Sequence, residues 1–114
     1  MNPKKGNKLR LLHIRDACKE ITAFIADGTR DRKTFNAVSF NLSVIGEAAR
    51  NISDDVKLKH HDIPWSKMIA MRNIVIHEYF GRDEDTVWET ALRDVPILEQ
   101  AVCNLLTAIE TEGG

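Results

Sequence analysis

Apolar residues recur along this chain at three- and four-residue steps, the period of an α-helix with one buried face. Leu11, Ile14, Cys18, Ile21 and Ile25 form the first such stripe, widened by Ala17 and Phe24. Asp27-Gly28 closes it, because glycine commonly stands just beyond a helix C-terminus. A second helix is predicted from near Arg32, with Val38, Leu42, Ile45, Ala49 and Ile52 on one face. Ser53-Asp54-Asp55 ends that helix and caps a short turn through Lys59. The third helix opens at Ile63-Pro64-Trp65, since a proline suits a first turn whose N–H would be unbonded anyway. It runs through Met68, Ile69, Val75 and Ile76 to Phe80, where Gly81 supplies a stop. Asp83 caps a fourth helix, with Glu84 and Asp85 placed favourably for the helix dipole. Trp88, Ala91, Val95, Leu98, Val102, Leu105 and Ile109 make its stripe. Pro96 interrupts this helix and frees the Leu92 carbonyl, which predicts a bend. No stretch reads as a strand of useful length. The pattern predicts an all-α fold, an antiparallel bundle of four main helices with a short extra helical turn.

Length and composition narrow the class. The 114 residues fit one domain, residues 1–114 with a core of about 8–110, and leave no room for a two-domain enzyme or a repeat array. Hydrophobic residues at 43% and charged residues at 29% describe a globular chain, not a disordered one. No apolar run approaches the roughly 20 residues of a membrane span. The N-terminal MNPKKGNKLR is basic without the apolar stretch of a signal peptide. Cys18 and Cys103 lie far apart in sequence and suggest neither a zinc spacing nor a disulfide framework. These features lead to the expectation of a cytoplasmic protein with reduced thiols and no membrane association. The net charge of −1 conceals an asymmetry. Residues 1–61 hold 12 Lys and Arg against 7 Asp and Glu, whereas residues 62–114 hold 4 against 10. A basic half attracts phosphate backbones, opposed halves favour self-association, and solvated helix faces give the same balance.

The familiar catalytic signatures are absent: no phosphate-binding glycine loop, no H-E-x-x-H helix, no G-x-S-x-G elbow. His60-His61 beside Asp62 reads as a solvated turn, since adjacent histidines point apart on a helix. One segment stands out, Met71-Arg72-Asn73-Ile74-Val75-Ile76-His77-Glu78-Tyr79-Phe80. It sets Arg, Asn, His and Tyr within an otherwise apolar helix. Arginine rarely tolerates burial without a partner, so this cluster must face a cleft, an interface or a buried acid. A guanidinium can hold and neutralise a phosphoryl oxygen while an imidazole moves a proton. RNA carries its own nucleophile, the 2′-hydroxyl, so such a pair needs no metal. Glu47 on the second helix reads first as a partner for Arg72 or Arg50 and second as a catalytic group.

The run IPWSKMIAMRNIVIHEYF resembles the signature of the HepT-like family within the HEPN superfamily. The family motif R-x4-H-x-Y is matched by Arg72, His77 and Tyr79, with Asn73 in the common R-N form. VIGEAARNI, Val44 to Ile52, resembles the family's I-G-E-A helix, and ALRDVPIL, Ala91 to Leu98, its Asp-x-Pro-containing last helix. The resemblance covers roughly residues 8 to 110, with Ala70 standing where many relatives have glycine. It implies a metal-independent ribonuclease, without cofactor, acting as the toxin of a toxin–antitoxin pair. Arg72 and His77 would be catalytic, and Asn73 and Tyr79 would position the substrate. The implied partner is a small MntA-type nucleotidyltransferase antitoxin. The implied assembly is a homodimer whose motifs meet across the interface, with higher assembly through the antitoxin left open. In some such pairs the antitoxin attaches AMP to the motif tyrosine, here Tyr79, and silences the nuclease.

Helical geometry adds a constraint. At about 100° per residue, Arg72 and Tyr79 nearly share a face, while His77 lies about 140° round from Arg72, on the face of Asn73. Either the helix loosens before His77, or the Arg72 side chain bends round, or a second subunit supplies the missing partner. His77 stands in the last turn, where unbonded carbonyls favour a positive imidazole; Glu78 acts in the same direction or pairs with Arg82. Beside the ribonuclease stand two alternatives. One is a non-catalytic helical subunit that binds substrate or nucleotide for a nucleotidyltransferase, and the other is a purely structural dimerisation module.

Overall fold

The computed structural model describes the backbone of residues 3–78 and 84–111 and the side chains of residues 6–73 and 84–111. Every regular element among the described residues is helical. In order these are α1 (Pro3–Ile25), α2 (Arg32–Arg50), the short α3 (Asp54–Lys59), α4 (Trp65–Glu78), α5 (Glu84–Glu89) and α6 (Val95–Thr111). A π-helical turn, Thr90–Asp94, joins α5 to α6. This is the helical bundle that the 3.6-residue period predicts.

α1 begins well before the first apolar stripe, and Asn7 supplies the reason. Its side chain is buried; Nδ2 donates to the Ser53 hydroxyl at 2.7 Å and Oδ1 accepts from the Ser53 N–H at 3.0 Å. The first turns of α1 are thereby tied to the exit of α2, which sets the two helices antiparallel. Ser53 stands at the start of α3 as expected, but its side chain makes no capping bond there. Between α1 and α2 the chain turns at Gly28, whose φ of +79° is a left-handed conformation that glycine adopts without a Cβ clash. Asp31 then caps α2 by accepting from the Thr34 N–H at 2.8 Å, and the Thr34 side chain together with that N–H holds its carboxyl below the ordinary value.

α2 packs against α1 on one side and α4 on the other, and α6 packs against α1. Lys8–Glu110 and Lys19–Glu99 contacts along α1 and α6 show that these two run antiparallel. The core holds Leu11, Ile14, Cys18 and Ile21 of α1 with Val38, Leu42, Ile45 and Ala49 of α2, all fully buried. Met68 of α4 and Val95, Leu98 and Val102 of α6 close it. Phe24, expected to widen the first stripe, is instead 43% exposed. The buried face of α1 is therefore narrower than its sequence suggests.

Two local devices aim α4. The Trp65 indole donates to the His60 carbonyl at 3.0 Å, and the same carbonyl accepts from the Ile63 N–H at 3.1 Å. Pro64 stands one residue before the helix, its carbonyl accepting from the Met68 N–H. Pro96 also acts, as its missing N–H requires. The Val95 N–H bonds to the Thr90 carbonyl, a five-residue step, so the helical ladder slips by one residue just ahead of the proline. The expected interruption takes the form of a π-turn inside a continuous helical path. Among the described residues no helix is long and apolar enough to cross a membrane.

Candidate active site

Gly46 decides where Arg72 stands. It lies buried in the middle of α2, where glycine costs about 1 kcal/mol relative to alanine. The absent side chain explains the choice. A Cβ built at Gly46 would lie 2.9 Å from both the Cβ and the backbone nitrogen of Arg72, and 3.3 Å from the Ile69 carbonyl oxygen. α2 and α4 therefore approach backbone to backbone at this point, closer than any side chain permits.

The next residue on α2 uses that approach. Arg72 Nη1 donates to Glu47 Oε2 at 2.9 Å. Of the two partners that the sequence left open for Glu47, the structure selects Arg72. Both members of the pair are about half exposed, at 46% and 52% for Arg72 and Glu47. An exposed ion pair contributes at most about 1 kcal/mol, so its consequence is orientation more than stability. The guanidinium has five N–H donors, and one bond to Glu47 leaves others for an anion. Asn73, the next residue, is also exposed.

α4 is uninterrupted α-helix from Trp65 to Glu78. The helix therefore does not loosen before His77, which removes one of the three ways of bringing Arg72 and His77 to one phosphate. The side chain of His77 and the whole of Tyr79 lie outside the described residues, as do the Asp83 cap and the Gly81 stop. Among the described residues no group of three His, Cys, Asp or Glu could hold a metal ion. His61 is exposed in the turn after α3, as its sequence context predicts.

A family model described as ribonuclease HepT-like matches residues 14–105. The chain belongs to the HepT-like ribonuclease family. Relatives are similar over nearly their full length. "Probable ribonuclease HepT" of Thermococcus cleftensis is 40% identical, covering 84% of this chain and 92% of the relative. From Methanocaldococcus jannaschii, "Putative RNase MJ1216" is 41% identical over 95% of this chain and 93% of the relative. "Putative RNase MJ0127" of the same organism is 34% identical over 96% and 95%. No solved structure gave a significant match.

Gly46 is the residue of this HepT-like site that the sequence reading passed over. Its signal was present: a lone glycine among Val44, Ile45, Ala48 and Ala49 in the interior of a predicted helix. A glycine kept inside a helix despite its cost has a packing reason, here the close approach of another backbone.

Proposed function

We propose that this chain is a metal-independent ribonuclease, with Arg72 and His77 as its catalytic pair. The observation that carries the reading is Arg72, set on an exposed face by Glu47 across a helix contact that only glycine allows. The reaction follows from the chemistry of RNA. The 2′-oxygen attacks the adjacent phosphorus and loses its proton to a base, the P–O5′ bond breaks, and the leaving 5′-oxygen takes a proton from an acid. His77 serves as the base or the acid, and Arg72 neutralises the charge that gathers on the phosphoryl oxygens. Asn73 and Tyr79 position the phosphate.

The active assembly is a homodimer. Continuous helix through Glu78 and an Arg72 drawn toward α2 support a second subunit as the source of the missing partner, and a two-fold axis beside α4 would bring both motifs into one groove. The fourth helical stretch contributes part of that interface. In its cellular role the protein is the toxin of a toxin–antitoxin pair, restrained by an MntA-type nucleotidyltransferase. AMP transferred to Tyr79 would place a phosphate beside Arg72, filling the anion site and repelling RNA by charge and bulk.

The test is cleavage of RNA in EDTA by the wild type and by Arg72→Ala and His77→Ala. Cleavage by the wild type alone supports the ribonuclease, and RNA left intact by all three favours the non-catalytic binding subunit. Mixing the two inactive variants restores part of the activity if the site is shared between subunits. For the switch, intact-mass analysis after incubation with the nucleotidyltransferase, ATP and magnesium should show an AMP-sized gain that Tyr79→Phe abolishes.

A further inference from the structure

Glu47 faces two ways. Besides holding Arg72, it lines a groove between α1 and α2 of about 390 Å³, whose walls also carry Leu9, Arg10, His13, Val44 and Asn51. That volume lies in the range of small-molecule sites. Its apolar lining is open to solvent: Leu9 is 55% exposed. Arg10 and His13 make no ion pair or hydrogen bond with any described residue. The Asn51 amide spends its Nδ2 on the Glu47 carbonyl at 2.9 Å, leaving Oδ1 as an acceptor.

We propose that this groove is a subsite for one nucleotide of the RNA, next to the nucleotide that is cut. The proposal rests on the ribonuclease reading above. Three features select a nucleotide as occupant. The apolar surface of Leu9 and Val44 offers a face against which a base can lie by apolar contact. Arg10 and His13 present N–H donors of the type that hold phosphate, in the basic half of the chain. Glu47 belongs both to the groove wall and to the Arg72 pair, so a strand whose scissile phosphate meets Arg72 has its neighbouring nucleotide at the groove. Asn51 Oδ1 then accepts from an exocyclic amine of the base.

Binding separates this subsite from catalysis. The probe is a short fluorescein-labelled 2′-O-methyl oligonucleotide, which cannot be cut, followed by anisotropy at several salt concentrations. Arg10→Ala should raise Kd about tenfold and reduce the slope of log Kd against log salt by about 0.7, the signature of one lost phosphate contact on a single strand. Arg10→Lys should keep the slope, and His13→Ala should weaken binding about threefold. Lys33→Ala, at the opposite end of α2, should change nothing. Wild-type affinity and slope in Arg10→Ala and His13→Ala overturn the proposal, and cleavage of ordinary RNA by the same proteins then shows whether the ribonuclease still stands. Groove-dependent binding by a protein that cuts no RNA would keep the subsite and remove the ribonuclease. If Leu9→Glu changes the mass in light scattering, the groove is an interface between copies of this chain and the nucleotide reading is wrong.

Discussion

Replacing Gly46 with alanine adds one methyl group at the place where α2 and α4 meet. The new Cβ would sit 2.9 Å from the Arg72 Cβ and from the Arg72 nitrogen, whereas ordinary contact begins at 3.4 Å. Neither atom is the end of a flexible side chain, so α4 must retreat by about half an ångström or more as a unit. Two effects oppose each other in stability. Alanine improves the helix by about 1 kcal/mol, and overpacking a tight contact costs about 1–3 kcal/mol. The net expectation is a loss of about 0–2 kcal/mol, read as a fall of a few degrees in the thermal midpoint. Function should suffer more than stability. The retreat lengthens the 2.9 Å Arg72–Glu47 bond, and misplacement of a catalytic group on the ångström scale costs up to about a hundredfold in rate. The assay pairs thermal melts with RNA cleavage on the same preparations. A Gly46→Ala protein that gains the full 1 kcal/mol of helix propensity and cuts RNA at the wild-type rate would refute the argument, because the contact would then have room to spare.

Three further outcomes are expected. Glu47→Gln should keep stability within about 1 kcal/mol of the wild type, since the pair is half exposed, while cleavage falls about tenfold as Arg72 loses its orientation; unchanged cleavage would make the pair incidental. Asn7→Ala should destabilise by about 1–3 kcal/mol by leaving the Ser53 N–H and hydroxyl without their partner, visible as a lower urea midpoint, and an unchanged midpoint would mean that water replaces it. Burial, with Glu99 and Cys103 adding to it, pushes the Cys18 thiol up from 9.0 to about 12. The unfolded chain ionises first, so this contribution is complete below pH 9 and is lost as pH rises toward 12; urea melts should therefore fall more steeply with alkaline pH for the wild type than for Cys18→Ala, and parallel curves would contradict the shift.

What could be read from the sequence follows the range of the forces involved. The helices were legible because each must turn one apolar face inward, and the buried set Val38, Leu42, Ile45 and Ala49 is the periodic set itself. Pro96 announced an interruption through its missing N–H, but a kink and a one-residue slip of the ladder satisfy that chemistry equally well, and only the packing chose the π-turn. Arg72 required a partner, and Glu47 was the acid on the second helix that the sequence offered to it or to Arg50. The contact at Gly46 was not legible because periodicity says which face is buried and nothing about which residues of two faces meet. Asn7 stayed hidden for the same reason, since its partner Ser53 lies 46 residues away. The Arg10–His13 groove is likewise a product of how α1 lies along α2.

If Arg72 and His77 cut RNA by using its own 2′-hydroxyl, the substrate itself supplies the test. The most direct measurement follows cleavage, in EDTA, of one RNA and of the same RNA with a single 2′-deoxy nucleotide at the cut. The wild type should cleave the first, leaving a 2′,3′-cyclic phosphate and a 5′-hydroxyl by mass, and spare the second, while Arg72→Ala and His77→Ala spare both. Cleavage at the deoxy position, or cleavage that persists in both variants, would contradict it.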